Sequence, residues 1–122
     1  MARLLIVEDN PLNLELFTQM LEDDHTIESA TDGAAGVAAA IASVPELILM
    51  DISMPRLDGF QAVALLRAEK KTQAIPVIAV TAHAIRGDRE RILASGFDAY
   101  VSKPIDEDLL KEAIDRLLKA RR

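Results

Sequence analysis

Leu47-Ile48-Leu49-Met50, closed by Asp51, is the stretch whose reading decides the fold. Four apolar residues in succession, with no polar alternation, are what a short strand needs when both of its faces are covered. The abrupt change to a carboxylate marks where that cover ends. Leu4-Leu5-Ile6-Val7 before Glu8-Asp9, and Pro76-Val77-Ile78-Ala79-Val80 before Thr81, repeat the pattern. Weaker strands are expected near Thr26 to Ala30 and from Asp98 to Val101.

Helical patterns fill the intervals. Asn10-Pro11 reads as an N-cap followed by a first helical residue, and Leu14, Phe17 and Leu21 then recur at helical spacing. Asp32-Gly33 turns the chain into an Ala-rich helix that ends near Ser43 and is slim enough to lie close to a sheet. A third helix carries Phe60, Val63 and Leu66 on one side. Gly87 weakens the start of the fourth, so a mobile segment is expected from Thr81 to Gly87, with regular helix from about Asp88 to Ser95 and a stop at Gly96. Asp106 caps a last helix with a double stripe of Leu109, Leu110, Ala113, Ile114, Leu117 and Leu118.

Five such strand-helix units predict an α/β fold: a doubly wound, five-stranded parallel sheet with helices on both faces. A chain of 122 residues suits one domain over 1–122, and its last helix runs almost to the end, so no output domain is expected. The absence of cysteine removes disulfides, thiolate metal sites and thiol nucleophiles. No apolar run approaches a membrane span and no signal peptide opens the chain, so a cytoplasmic protein without membrane contact is expected. With 14 basic against 20 acidic residues, the net charge of −6 argues against a nucleic-acid partner. Arg86, Arg89, Arg91 and the terminal Arg121-Arg122 read as solvated helix face or tail.

In open parallel sheets the binding crevice lies beyond the carboxyl ends of the strands. Those ends carry Glu8 and Asp9, Asp51, Thr81 and Lys103. If the first and third strands are neighbours, three carboxylates share one pocket. Two like charges about 4 Å apart repel by roughly 4 kcal/mol at an effective dielectric near 20. A retained proton or a cation must relieve that, and oxygen ligands on loops favour Mg2+. A carboxylate, a hydroxyl, an ammonium and Mg2+ together suit phosphoryl transfer. No triad orients a Ser or His nucleophile, and no Gly-rich loop after the first strand cradles a nucleotide or flavin.

Glu8-Asp9, the run from Asp51 through Met54-Pro55 to Asp58-Gly59, Thr81-Ala82 and Lys103-Pro104 together resemble the signature of response-regulator receiver domains. The resemblance spans essentially the whole chain. It implies a flavodoxin-like fold of strand order 2-1-3-4-5. It also implies Asp51 as phosphoacceptor, supplied by a histidine kinase or histidine phosphotransfer protein. Asp9, Asp51 and the backbone carbonyl of Ser53 would ligate Mg2+, with Glu8 acting through water. Thr81, the Ala82 amide and Lys103 would hold the phosphoryl oxygens, and the Lys103-Pro104 bond would be cis. Thr81 and Tyr100 would switch, changing the surface of the fourth helix, fifth strand and fifth helix for a downstream protein. Ser53 and His83 would tune hydrolysis. A stand-alone regulator of the type that governs bacterial cell-cycle kinases, monomeric or weakly dimeric, is the leading expectation. A phosphate sink, with no downstream partner, and a phosphorylation-independent adaptor are the alternatives.

Overall fold

The computed structural model describes residues 2–54, 57–82 and 88–120. Ten elements alternate along the chain: β1 (Arg3–Val7), α1 (Pro11–Leu21), β2 (Thr26–Ala30), α2 (Gly33–Ser43), β3 (Leu47–Asp51), α3 (Gly59–Ala68), β4 (Val77–Thr81), α4 (Asp88–Ala94), β5 (Ala99–Ser102) and α5 (Glu107–Ala120). The strands form one parallel sheet in the order β2-β1-β3-β4-β5. β1 and β3 are therefore adjacent, with Val7 opposite Met50, and Asp51 lies opposite Val80.

The alternation of side chains along each strand divides the core in two. Leu5, Val7, Ile48, Met50, Val77 and Ala79 point to one face, where α2, α3 and Ile92 of α4 cover them. Leu4, Ile6, Leu47, Leu49, Ile78 and Val80 point to the other, beneath Phe17 and Leu21 of α1 and Leu110 and Ile114 of α5. This double cover explains the unbroken apolar runs of β1, β3 and β4. Among the described residues, no helix is long and apolar enough to cross a membrane.

Helix starts follow local chemistry. The Asn10 side chain accepts from the amides of Leu12 and Asn13, and Asp32 accepts from Ala35. Asp58 and Gln61 form a reciprocal capping box on α3, and Asp106 accepts from the amides of Asp108 and Leu109. α2 ends less comfortably: Val44 has φ 47°, a left-handed conformation that β-branched residues avoid. The Arg3 guanidinium compensates by donating to the carbonyls of Ser43 and Val44 at 2.8 and 2.9 Å.

Two sequence expectations need correction. Asp98 precedes β5 rather than opening it, because its carboxylate is committed elsewhere: it accepts from the Val77 amide at 2.8 Å and from Arg67 at 2.9 Å. Leu109 does not join the buried stripe of α5 but is 60% exposed, since the sheet covers only the face carrying Leu110 and Ile114. The expected mobile segment after Thr81 lies, from residue 83 to Gly87, outside the described residues.

Candidate functional site

The register of the sheet brings the end of β1 beside the end of β3. Glu8, Asp9 and Asp51 each offer a carboxylate oxygen within 4.8 Å of the others. Glu8 and Asp51 are buried, whereas Asp9 is exposed at the mouth. Lys103, reached from the end of β5, places its Nζ 3.4 Å from Asp51 Oδ2 and 3.5 Å from Glu8 Oε1. One ammonium thus faces three carboxylates, and the cluster keeps an excess of negative charge.

The excess shows in Glu8. Its Oε2 accepts from the Asn10 amide at 3.1 Å, but Oε1 has no hydrogen-bond partner among the described residues. Burial pushes the Glu8 carboxyl up from 4.5 to about 7, and the neighbouring Asp51 adds to the rise, against the Asn10 amide and Lys103. A buried carboxylate oxygen with no hydrogen bond, held only by the longer ion pair to Lys103 and set beside two further carboxylates, completes a donor set for a hard divalent cation. Oxygen-only ligands on strand ends and loops fit Mg2+ in particular, so the residues present suit the group the sequence implies.

Backbone contacts fix the floor of the pocket. Asp51 Oδ1 accepts from the Ser53 amide at 3.0 Å, and the Gly59 amide donates to the Ile52 carbonyl at 3.0 Å. Gly59 is required there: a Cβ would stand 2.7 Å from Ile52 Cα and 2.9 Å from the Asp51 carbonyl oxygen. The start of α3 is thereby pressed against the end of β3, where Asp51 stands. On the far side, the Lys103 amide donates to the Thr81 carbonyl at 2.8 Å, tying the lysine to the end of β4. Thr81 is buried, Ala82 and Ser53 are exposed, and the Lys103–Pro104 peptide is cis.

Glu8, Asp9, Asp51 and Lys103 thus converge at one site, with Ser53, Thr81 and Ala82 on the adjoining strand ends. Tyr100 does not join them. It lies half-buried on β5, opposite Ala79, against the core beneath α3 and α4. His83 lies outside the described residues. One neighbouring feature escaped the sequence reading. α1 leaves Leu12 and Leu16 exposed (76% and 46%), beside a cleft of about 210 Å3 lined by Leu16, Phe17, Lys103, Pro104 and Ile105. The helical spacing of Leu12 and Leu16, off the face of Phe17 and Leu21, was the available signal.

The chain is similar to known proteins. The profile of the response regulator receiver domain family matches residues 4–115. Protein PilH of Pseudomonas aeruginosa is 42% identical over 119 residues, spanning 97% of this chain and 98% of its own. The polar-differentiation response regulator DivK of Brucella ovis is 41% identical over 116 residues, 93% of this chain and 94% of its own. Among solved structures, the receiver domain of the sensor histidine kinase PA1611 from Pseudomonas aeruginosa superposes with a TM-score of 0.90 at 34% identity, covering 97% of this chain and 98% of that one. That domain was crystallised with a magnesium ion coordinated in its active-site cleft.

Proposed function

The chain belongs to the response regulator receiver domains of two-component signalling, and from that premise we propose that Asp51 accepts a phosphoryl group and so controls what the α4-β5-α5 face binds. The observation that carries this reading is the convergence of Glu8, Asp9 and Asp51 with Lys103 at the carboxyl ends of β1, β3 and β5. A single receiver domain over 1–122 acting on its own suits the near-complete coverage of PilH and DivK. The donor is a phosphohistidine on a histidine kinase or phosphotransfer protein. Leu12 and Leu16, exposed beside the Lys103 cleft, give such a protein an apolar foothold next to the pocket.

In the reaction a carboxylate oxygen of Asp51 attacks phosphorus in line, and an O–P bond forms as the P–N bond to the donor imidazole breaks. The departing imidazole keeps the electron pair and is protonated. Lys103 pairs with a phosphoryl oxygen, and Thr81 and the Ala82 amide hold others. Asp9, Asp51 and the Ser53 carbonyl would hold Mg2+, with Glu8 acting through water. When bound, Mg2+ offsets the negative charge that the phosphoryl oxygens bring into an already acidic pocket. Thr81 then draws toward the phosphoryl group and Tyr100 turns inward behind it, altering the face between α4 and α5.

Intact-protein mass after treatment with acetyl phosphate tests the site. Wild type should gain one phosphoryl group only with Mg2+ present, and Asp51→Asn none. Labelling that survives in Asp51→Asn would overturn the assignment. Exposed Ser53 and Ala82 leave water a path to the acyl phosphate, which favours a second reading, a phosphate sink. Fast loss of the label with unchanged affinity for any partner would support the sink over the switch.

A further inference from the structure

Between α4 and α5, along the free edge of β5, runs a groove of about 540 Å3. Its apolar walls are Tyr100, half-buried, with Leu93 of α4 and Leu109 of α5 standing exposed on either side. Four charged side chains also line it: Arg89 and Arg116, Asp98 and Asp106. Their situations differ. Asp98 is spent on Arg67 and the Val77 amide, and Asp106 on capping α5. Arg89 and Arg116 are exposed, and neither has an ion pair or hydrogen bond among the described residues. In a chain of net charge −6, the groove therefore presents two uncommitted guanidiniums while its carboxylates are occupied internally.

We propose that this groove takes an acidic, amphipathic segment of a partner protein, whose apolar side chains seat on Leu93, Tyr100 and Leu109 while its carboxylates pair with Arg89 and Arg116. The inference rests on the reading of α4-β5-α5 as the output face and adds the chemistry of what that face selects. Charge complementarity carries the choice of occupant. Guanidiniums favour bidentate pairing with carboxylates, and two of them on opposite helices fix register as well as sign. A second copy of this chain, itself acidic, is the competing occupant.

Peptide display distinguishes these. A library of random helical peptides would be selected against the protein, both untreated and loaded with Mg2+ and beryllofluoride. Winning peptides would then be titrated into isotope-labelled protein by NMR. The expected winners carry Asp or Glu beside Leu or Phe, shift residues along 89–116, and bind at least about tenfold more weakly to Arg89→Glu/Arg116→Glu. Selection against that variant should return basic winners. Arg89→Gln/Arg116→Gln should be intermediate, and circular dichroism reports whether either variant is folded. Neutral or basic winners in the wild-type groove would overturn the inference yet leave the output face standing. Winners that map elsewhere would overturn both. A dimer in sedimentation that the charge reversal dissolves would make a second copy the occupant and overturn the partner chemistry.

Discussion

α2 and α4 cover the same face of the sheet, yet they are held in different ways. α2 runs for 11 residues and is pressed onto β1 through small side chains, with Gly33, Gly36 and Ala40 buried. α4 has only 7 residues, and of its described side chains only Ile92 is buried. Beyond that, the Arg91 guanidinium lies 4.3 Å above the ring of Phe60 on α3, which meets Phe97 edge-on. One helix is locked by close approach of backbone to sheet. The other is pinned at one core residue and one stacked cation. The pocket carboxylates close β1 and β3, and the locked helix grips the first of these strands through Gly36 and Val7; the groove proposed for a partner sits beside the pinned helix. A receiver needs that division: a rigid seat for the phosphoryl group, and next to it an element of low local stability that a modest free energy can displace.

The largest test of this contrast is to break the locked side. A Cβ on Gly36 would stand 2.7 Å from one methyl of Val7 and 2.8 Å from the other. Gly36→Leu must therefore push α2 off β1, with an expected loss of about 3 kcal/mol in urea denaturation despite the helix propensity gained. A loss below about 1 kcal/mol would mean that α2 is free to slide, and the contrast with α4 would fail.

The next effect concerns charge stored at the ends of β1 and β3. Because burial raises the Glu8 carboxyl to about 7, the folded protein without metal binds a proton there more tightly than the unfolded chain does. Stability from this group is present below about pH 4.5 and is lost as pH rises through about 7. Glu8→Gln should accordingly stabilise the metal-free protein by roughly 2 kcal/mol near pH 8, and flatten its stability between about pH 5 and pH 8. Saturating Mg2+ should reverse the order, since wild type alone retains the full set of carboxylates. Melting temperatures of both proteins, with metal and with chelator, check the sign. Equal gains from Mg2+ in the two would remove Glu8 from the metal site.

Much of this molecule was readable before its coordinates. The apolar runs at Leu4–Val7 and Leu47–Met50 demanded strands covered on both faces, and Asn10, Asp32 and Asp106 announced helix starts by chemistry local to each, whereas the capping box of Asp58 and Gln61 emerged only in the structure. The convergence of Glu8, Asp9, Asp51 and Lys103 followed from the rule for strand ends once β1 and β3 were neighbours. What stayed hidden depends on partners distant in sequence. The local pattern extends the fifth strand to Asp98, but its carboxylate serves Arg67 and the Val77 amide, neither of which local pattern can supply. Leu109 extended a stripe wider than the sheet has room to cover. Arg89 looked like one more solvated charge until the groove placed it across from Arg116. The stack of Arg91 on Phe60 left no mark in either helix's periodicity.

That stack gives the smallest and sharpest test. An exposed cation over an aromatic ring contributes about 0.5–1 kcal/mol, too little to shift global unfolding noticeably but a large share of what holds a helix of 7 residues. Arg91→Ala should therefore speed amide hydrogen exchange across Asp88–Ala94 by roughly two- to fivefold while exchange in Gly33–Ser43 stays as in wild type. Phe60→Leu keeps much of the apolar volume but removes the ring, and should reproduce the local effect. In the double variant the two changes should not add, because each removes the same contact. Acceleration in α2 as well as α4 would show that the stack supports the whole face of the sheet. If exchange is unchanged in both, Ile92 alone pins α4, and one wall of the proposed groove is held by a single side chain.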